Sequence, residues 1–196
     1  MSRRISKWPL LVAAWLCLVV GCMGALAAYK SRPGATSYAP SVWPEGSRLP
    51  RVVARPTLVM FAHPGCPCTR ASLDELAWLQ TRFADRVDTY VVFMSVGGVG
   101  ADAPLVERAR TVPSARLVMR GAAEARLFGV TTSGHTLFYD SASRLRFSGG
   151  ITAARGHAGT SAGRAHLAAL LAETSTAPRE TPAYGCALGS LNEGGK

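Results

Sequence analysis

The sequence predicts an α/β domain, a central mixed β-sheet flanked by helices, carried behind one N-terminal transmembrane helix. Three observations carry that prediction. An uncharged apolar stretch of about twenty residues lies near the N-terminus, enough to cross a bilayer. From residue 56 onward, short β-prone runs alternate with amphipathic helical stretches. The alternation closes in a hairpin and a final helix, which places helices on both faces of one sheet.

Residues 1–7 form a basic N-terminus with Arg3, Arg4 and Lys7. Residues 8–28 are the membrane segment, closed by Tyr29 and Lys30 as an interfacial aromatic and a cation would close it. The early positive charges favour an N-terminus inside and everything after residue 30 outside. A retained signal anchor is the reading adopted here. Ala25-Leu26-Ala27 also resembles a cleavage site, and Val19-Val20-Gly21-Cys22 resembles a lipobox. All three readings export the domain, in a bacterium to the periplasm or the cell surface, held by a single pass through the inner membrane.

Residues 29–52 hold Pro33, Pro40, Pro44 and Pro50 and predict an extended spacer standing the domain off the membrane. The domain is expected over 53–175. Thr57 to Ala62 is apolar and β-prone, suited to a strand buried on both faces, and it ends at the loop signal His63-Pro64-Gly65. A helix follows over 69–83, with Leu73, Leu76, Ala77 and Phe83 mostly on one face and only Gln80 polar among them. A strand is expected over 88–95, a flexible loop over 97–103, a short helix over 105–110 and a third strand over 117–119. A helical turn or two covers 122–128. Strands at 136–139 and 145–147 are joined through Asp140-Ser-Ala-Ser143, and a helix covers 162–173. Residues 176–196 form a tail containing Cys186.

Composition narrows the function. The net charge is +10, yet all but three of the 22 basic residues are Arg and they are spread along the chain. Without clustered charge and interleaved aromatics, a nucleic-acid role is not expected. There is no Gly-rich phosphate loop, no His-Glu-x-x-His and no Gly-x-Ser-x-Gly. Of the five cysteines, Cys17 and Cys22 lie in the membrane segment and read as small apolar residues. The remaining three are an odd set: one close pair, Cys66-Pro67-Cys68, and the distant Cys186. That pattern argues against a purely structural disulfide framework and for a reactive or ligand-binding site.

The pair falls at a predicted helix N-terminus, where unpaired N–H groups and the helix dipole favour a thiolate. Arg70 adds a positive charge nearby, unless it points into solvent. A Cys-x-Cys disulfide closes a small ring, and the strain of that closure favours an oxidant or isomerase over a strong reductant. His63 either shapes the loop or joins the site. Cys186 is either inert or folds back as a third partner for the pair.

A buried strand, then a loop with paired cysteines at the start of a helix, then βαβ, a hairpin and a helix is the thioredoxin order. Phe61-Ala-His-Pro-Gly-Cys66 resembles the strand end leading to the first active-site cysteine of that superfamily. Phe128-Gly129-Val130 followed by Thr136-Leu-Phe-Tyr-Asp140 resembles the flanks of the loop that faces the cysteines. More narrowly, residues 61–72, 132–136, 148–152 and 155–157 resemble the RedB-type membrane-anchored thioredoxin-like proteins. The resemblance implies a thioredoxin-like fold over roughly residues 55–190. It implies thiol–disulfide exchange on exported proteins, with Cys66 as the exposed attacking nucleophile and Cys68 resolving. It makes Thr132, Ser133, Gly134 and His135 the loop that positions a partner's strand, and it calls for no cofactor.

Two departures stand out. Only Pro67 separates the cysteines, where the superfamily has two residues, and its cis-proline falls at Gly134 here. These leave room for a rival, copper binding or delivery. Two thiolates one residue apart with a histidine suit Cu(I), and Cys66, Cys68 and His135 are similar to the ligand set of the Sco proteins, although the spacing differs.

Overall fold

The computed structural model describes residues 7–52, 54–94, 103–119 and 122–189. The expected loop over 97–103 therefore lies almost wholly outside the described residues, as does most of the basic N-terminus. The chain divides into two compact units, Met1–Arg32 and Pro33–Lys196. In the first, α1 (Trp8–Lys30) is one 23-residue helix, long and apolar enough to cross a membrane. At 1.5 Å per residue it measures about 34 Å, against a hydrocarbon core of about 30 Å. Pro9 falls in its first turn, where the missing N–H costs nothing, and Lys30 lies in its last.

The second unit is built on a six-stranded sheet in the order β3-β2-β1-β4-β5-β6. Its strands are β1 (Thr57–Ala62), β2 (Asp88–Phe93), β3 (Ala115–Met119), β4 (His135–Tyr139), β5 (Leu145–Gly150) and β6 (Arg179–Thr181). β1 lies at the centre, parallel to β2 and antiparallel to β4. Every residue of β1 is buried, as a strand covered on both faces must be. Its side chains alternate between two cores. Leu58, Met60 and Ala62 face one cluster with Leu73, Leu76, Phe147 and Leu167. Val59 and Phe61 face the other, with Tyr90, Phe128, Leu137 and Tyr139.

The first core is covered by α2 (Cys68–Phe83), α3 (Pro104–Arg110) and α5 (Ala162–Leu171). Gln80, the polar member of the α2 face, is buried and donates from Nε2 to Thr89 Oγ1 at 2.7 Å. The buried Glu75 accepts from Arg164 Nη1 and from the Gly159 N–H, each at 2.5 Å, and so ties α2 to α5. The second core is covered by α4 (Ala122–Leu127) and by residues ahead of β1.

That cover corrects the expected spacer. From Pro33 the chain belongs to the domain rather than standing it off. Trp43 packs edge-on against Phe128 and Tyr139 at centroid distances of 5.0 and 5.2 Å, and Leu49 is buried. The Tyr38 N–H reaches Gly129 O at 3.0 Å, and Glu124 accepts from Ser47 and from the Arg48 N–H. Proline and serine content announced an extended backbone; the apolar Trp43 and Leu49 decide that it lies on the sheet. The tail is likewise part of the domain. β6 adds a strand parallel to β5 that the sequence did not announce, and Leu188 is buried in the second core.

Candidate redox-active site

The cysteine loop sits where β1 hands over to α2. The Cys66 N–H closes a turn onto His63 O at 3.1 Å, and Pro67 precedes the first helical residue, Cys68. Facing it, residues 131–134 enter β4. Ser133 joins the two: its Oγ accepts from the His63 N–H at 2.9 Å and lies 2.8 Å from Thr69 Oγ1. Thr132, Ser133 and His135 are buried. Gly134 has φ of +84° and donates to Phe61 O at 2.7 Å. A Cβ there would be strained at this φ and would displace the Ser72 hydroxyl, 2.6 Å away.

A third thiol completes the site. Cys186 Sγ lies 2.9 Å from Cys66 Sγ, and the Cys186 N–H points at the same sulfur at 3.4 Å. The tail is held there by backbone pairing with the facing loop. The Ser133 N–H donates to Cys186 O at 2.8 Å, Thr132 and Ala187 form an antiparallel bridge, and the Leu188 N–H donates to Thr131 O at 2.9 Å. Gly185 is required for this approach, because a Cβ on it would meet Ser133 O at 1.9 Å. Arg155 donates from Nη1 to Gly185 O at 2.7 Å.

The electrostatics single out Cys66. Burial pushes its thiol up, but donors from the Cys186 side chain and backbone, from Thr69 and from the Cys68 N–H outweigh it, leaving the pKa below an ordinary thiol. Burial raises Cys68, and the Cys66 charge raises it further against the pull of Arg155. Cys186 is pushed up to about 12, first by burial and then by its hydrogen bond to Cys66. Of the three thiols, Cys66 alone is pulled below the ordinary value, by donors that include the other two residues.

Several expectations change. Cys66 is not the exposed member of the pair. It has 0% exposure, whereas Cys68 and Cys186 are half-buried. The tail covers the sulfur that the resemblance left open. The cation that acts on the thiols is Arg155, which sequence reasoning did not single out, and Arg70 is exposed on α2. His63 shapes the loop, its Nδ1 accepting from the Gly65 N–H at 3.0 Å. His135 does not join the cysteines. Its Nε2 pairs with Ser148 Oγ at 2.9 Å, and the residue lines a cavity of about 340 Å³ with Gly34, Glu180 and Ala183, which none of the three thiols lines. Burial holds its pKa down at about 4, so the ring is neutral at neutral pH. Among the described residues no group of three or more His, Cys, Asp or Glu side chains is placed to hold a metal ion.

The parallel β1–β2 pair with α2 between them, the antiparallel β4–β5 hairpin, the closing helix α5 and the cysteines at the start of α2 decide the architecture. The fold is thioredoxin-like. No family model matches the sequence, and no curated protein matches it significantly. Solved structures do. An uncharacterized conserved protein from Geobacillus kaustophilus superposes with a TM-score of 0.56 at 16% identity, over 81% of this chain and 90% of that one. A hypothetical protein from Sinorhizobium meliloti 1021 gives 0.55 at 18% identity, over 69% and 79%. A thioredoxin-like protein from Aeropyrum pernix gives 0.47 at 13% identity, over 83% and 99%. The first two likenesses are of fold.

Proposed function

We propose that this thioredoxin-like protein is a membrane-tethered thiol–disulfide oxidoreductase acting outside the cytoplasm, through Cys66 and Cys68, on the thiols and disulfides of exported proteins. The observation that carries the reading is the depressed Cys66 thiol at the start of α2, ringed by donors from Cys186, Thr69 and Cys68. A stabilised thiolate beside a second, more exposed thiol is the minimum apparatus for exchange. Placement outside is supported by α1, with Arg3 and Arg4 before it and Tyr29 and Lys30 at its end.

The difference in burial supports one order of events. Cys68, half-buried where Cys66 is fully buried, bonds to one sulfur of a partner disulfide, and the other partner sulfur leaves as a thiolate. Cys66 then attacks Cys68 Sγ and expels the second partner thiolate. The chain's two sulfurs end as a disulfide, the departing sulfurs end as thiols with protons from the chain's thiols and from solvent, and the partner is reduced by two electrons. Run backwards, the same steps put a disulfide into a partner. The small Cys-Pro-Cys ring favours that donating direction.

The copper reading gains nothing from the geometry, because the His135 ring is engaged with Ser148 on another cavity. Trapping tests the exchange reading. Challenged with a disulfide-bonded peptide, Cys66→Ser accumulates a stable mixed disulfide on Cys68, while the wild type resolves it. Full-length protein that reacts with the peptide no faster than free cysteine does would overturn the proposal.

A further inference from the structure

We infer that Cys186 is a second resolving thiol, which takes Cys66 over from Cys68 and leaves a Cys66–Cys186 disulfide with Cys68 free to act again. The inference rests on the exchange reading above and extends it by one internal step. Three observations carry it.

The first is proximity: the sulfurs of Cys66 and Cys186 lie 2.9 Å apart across 120 residues of chain. Bond formation at about 2.05 Å asks for a movement of about 1 Å or less. The second is the way Cys186 is held. Two backbone hydrogen bonds, which pair Thr132 with Ala187, a glycine whose added Cβ would meet Ser133 O, and the Arg155 guanidinium on Gly185 O fix the tail at this point. An inert cysteine in a loose tail has no need of this framework. The third is cover: the fully buried Cys66 carries two thiols beside it, so a disulfide formed with one can be passed to the other without opening the core.

The step balances within the chain. In the Cys66–Cys68 disulfide, the Cys186 sulfur attacks Cys66 Sγ, the Cys66–Cys68 bond breaks, and Cys68 leaves as a thiolate that takes the proton Cys186 gave up. No external electron acceptor is needed. The charge logic supports it as well. While Cys66 is a thiolate, its charge and hydrogen bond add to the burial that keeps Cys186 protonated. Once Cys66 is in a disulfide that charge is gone, and the pull of Arg155 on Cys186 remains.

Peptide mapping of the full-length protein in detergent, oxidised with glutathione disulfide and digested with trypsin, tests the inference. Trypsin releases Cys66 and Cys68 on one peptide and Cys186 on another. We expect the two peptides to be joined in the wild type and in Cys68→Ser, and the joined species to be lost in Cys66→Ser. Cys186→Ala keeps an internal Cys66–Cys68 bridge within one peptide. If the wild type forms only that internal bridge, with the Cys186 peptide free at every buffer potential, the inference fails and the exchange reading stands. If no intramolecular disulfide forms in any variant, both fail.

Discussion

Two flanking segments lie on this domain, and they are held in different ways. Residues 33–50 are held by large side chains together with backbone bonds, among them Tyr38 N–H to Gly129 O and Trp43 N–H to Ser143 O. Trp43 packs edge-on against two aromatic rings of the second core, Arg51 covers it with its guanidinium 5.5 Å from the ring, and Leu49 is buried in the same core. Residues 182–188 are fixed mainly by backbone. Ala183 and Leu188 are their buried apolar side chains, and hydrogen bonds link the segment to Gly34, to residues 131–133 and to Arg155. A large aromatic contributes stability through area removed from water, and that hold is hard to release. Backbone hydrogen bonds each contribute about 1 kcal/mol net. The first segment is anchored by a large aromatic area, and the second, with a smaller apolar area, forms a cover. The thiols sit under the cover.

Cutting the aromatic anchor gives the largest effect. Trp43→Ala removes a half-buried ring and should lower stability by about 2–3 kcal/mol, read from a denaturant titration. It should leave the thiol chemistry at Cys66 in place. An unchanged midpoint would mean that residues 33–50 do not belong to the core.

Gly185→Ala attacks the other segment. The added methyl meets Ser133 O, so the tail lifts and Cys66 becomes open to alkylation. We expect the alkylation rate to rise about tenfold, equivalent to about 1.4 kcal/mol of local opening. The denaturation midpoint should move less than for Trp43→Ala. Equal alkylation rates in variant and wild type would show that the tail is not what shields Cys66.

Ser133→Ala tests the joint between the two loops. It deprives the His63 N–H of its acceptor and Thr69 Oγ1 of its neighbour, at a cost of about 1–2 kcal/mol. Thermal unfolding measures it, and no change would show that water replaces the hydroxyl.

The smallest effect is a shift in a pH profile. Cys66 titrates below an ordinary thiol in the folded protein, so its thiolate is present at a pH where most thiols are protonated. The stability it adds is present above the unfolded value of 9.0 and lost as pH falls through the lower folded value. Cys186→Ala removes the strongest of the lowering donors. The inflection of the Cys66 alkylation rate against pH should then move upward. A downward move would mean that relief of burial outweighs the lost donor.

Much of the fold was legible because its signals are local. The uniformly apolar β1 run, the α2 face from Leu73 to Phe83 and the turn at Asp140–Ser143 each announce themselves within a few residues. The cysteine loop was legible for the same reason. What escaped the sequence is long-range. Trp43 and Leu49 stand among prolines and serines, and only the sheet they cover explains them. Gly185-Cys186 is an unremarkable dipeptide until the Ser133 carbonyl comes within 1.9 Å of where a Cβ would be. Arg155 is one of many arginines until its place beside the thiols is known. The burial of Cys66 followed from that same tail and reversed the exposure expected of the pair.

The central claim is that Cys66 is the redox centre of an exchange protein, and a redox titration tests it most directly. Full-length protein in detergent is equilibrated in glutathione buffers from reducing to oxidising, and its free thiols are counted. Cys17 and Cys22 give a constant background in the apolar helix. The account predicts one reversible loss of two thiols with a single potential, present in the wild type and absent in Cys66→Ser. A thiol count that stays constant across the whole range, or a couple that persists in Cys66→Ser, would contradict it.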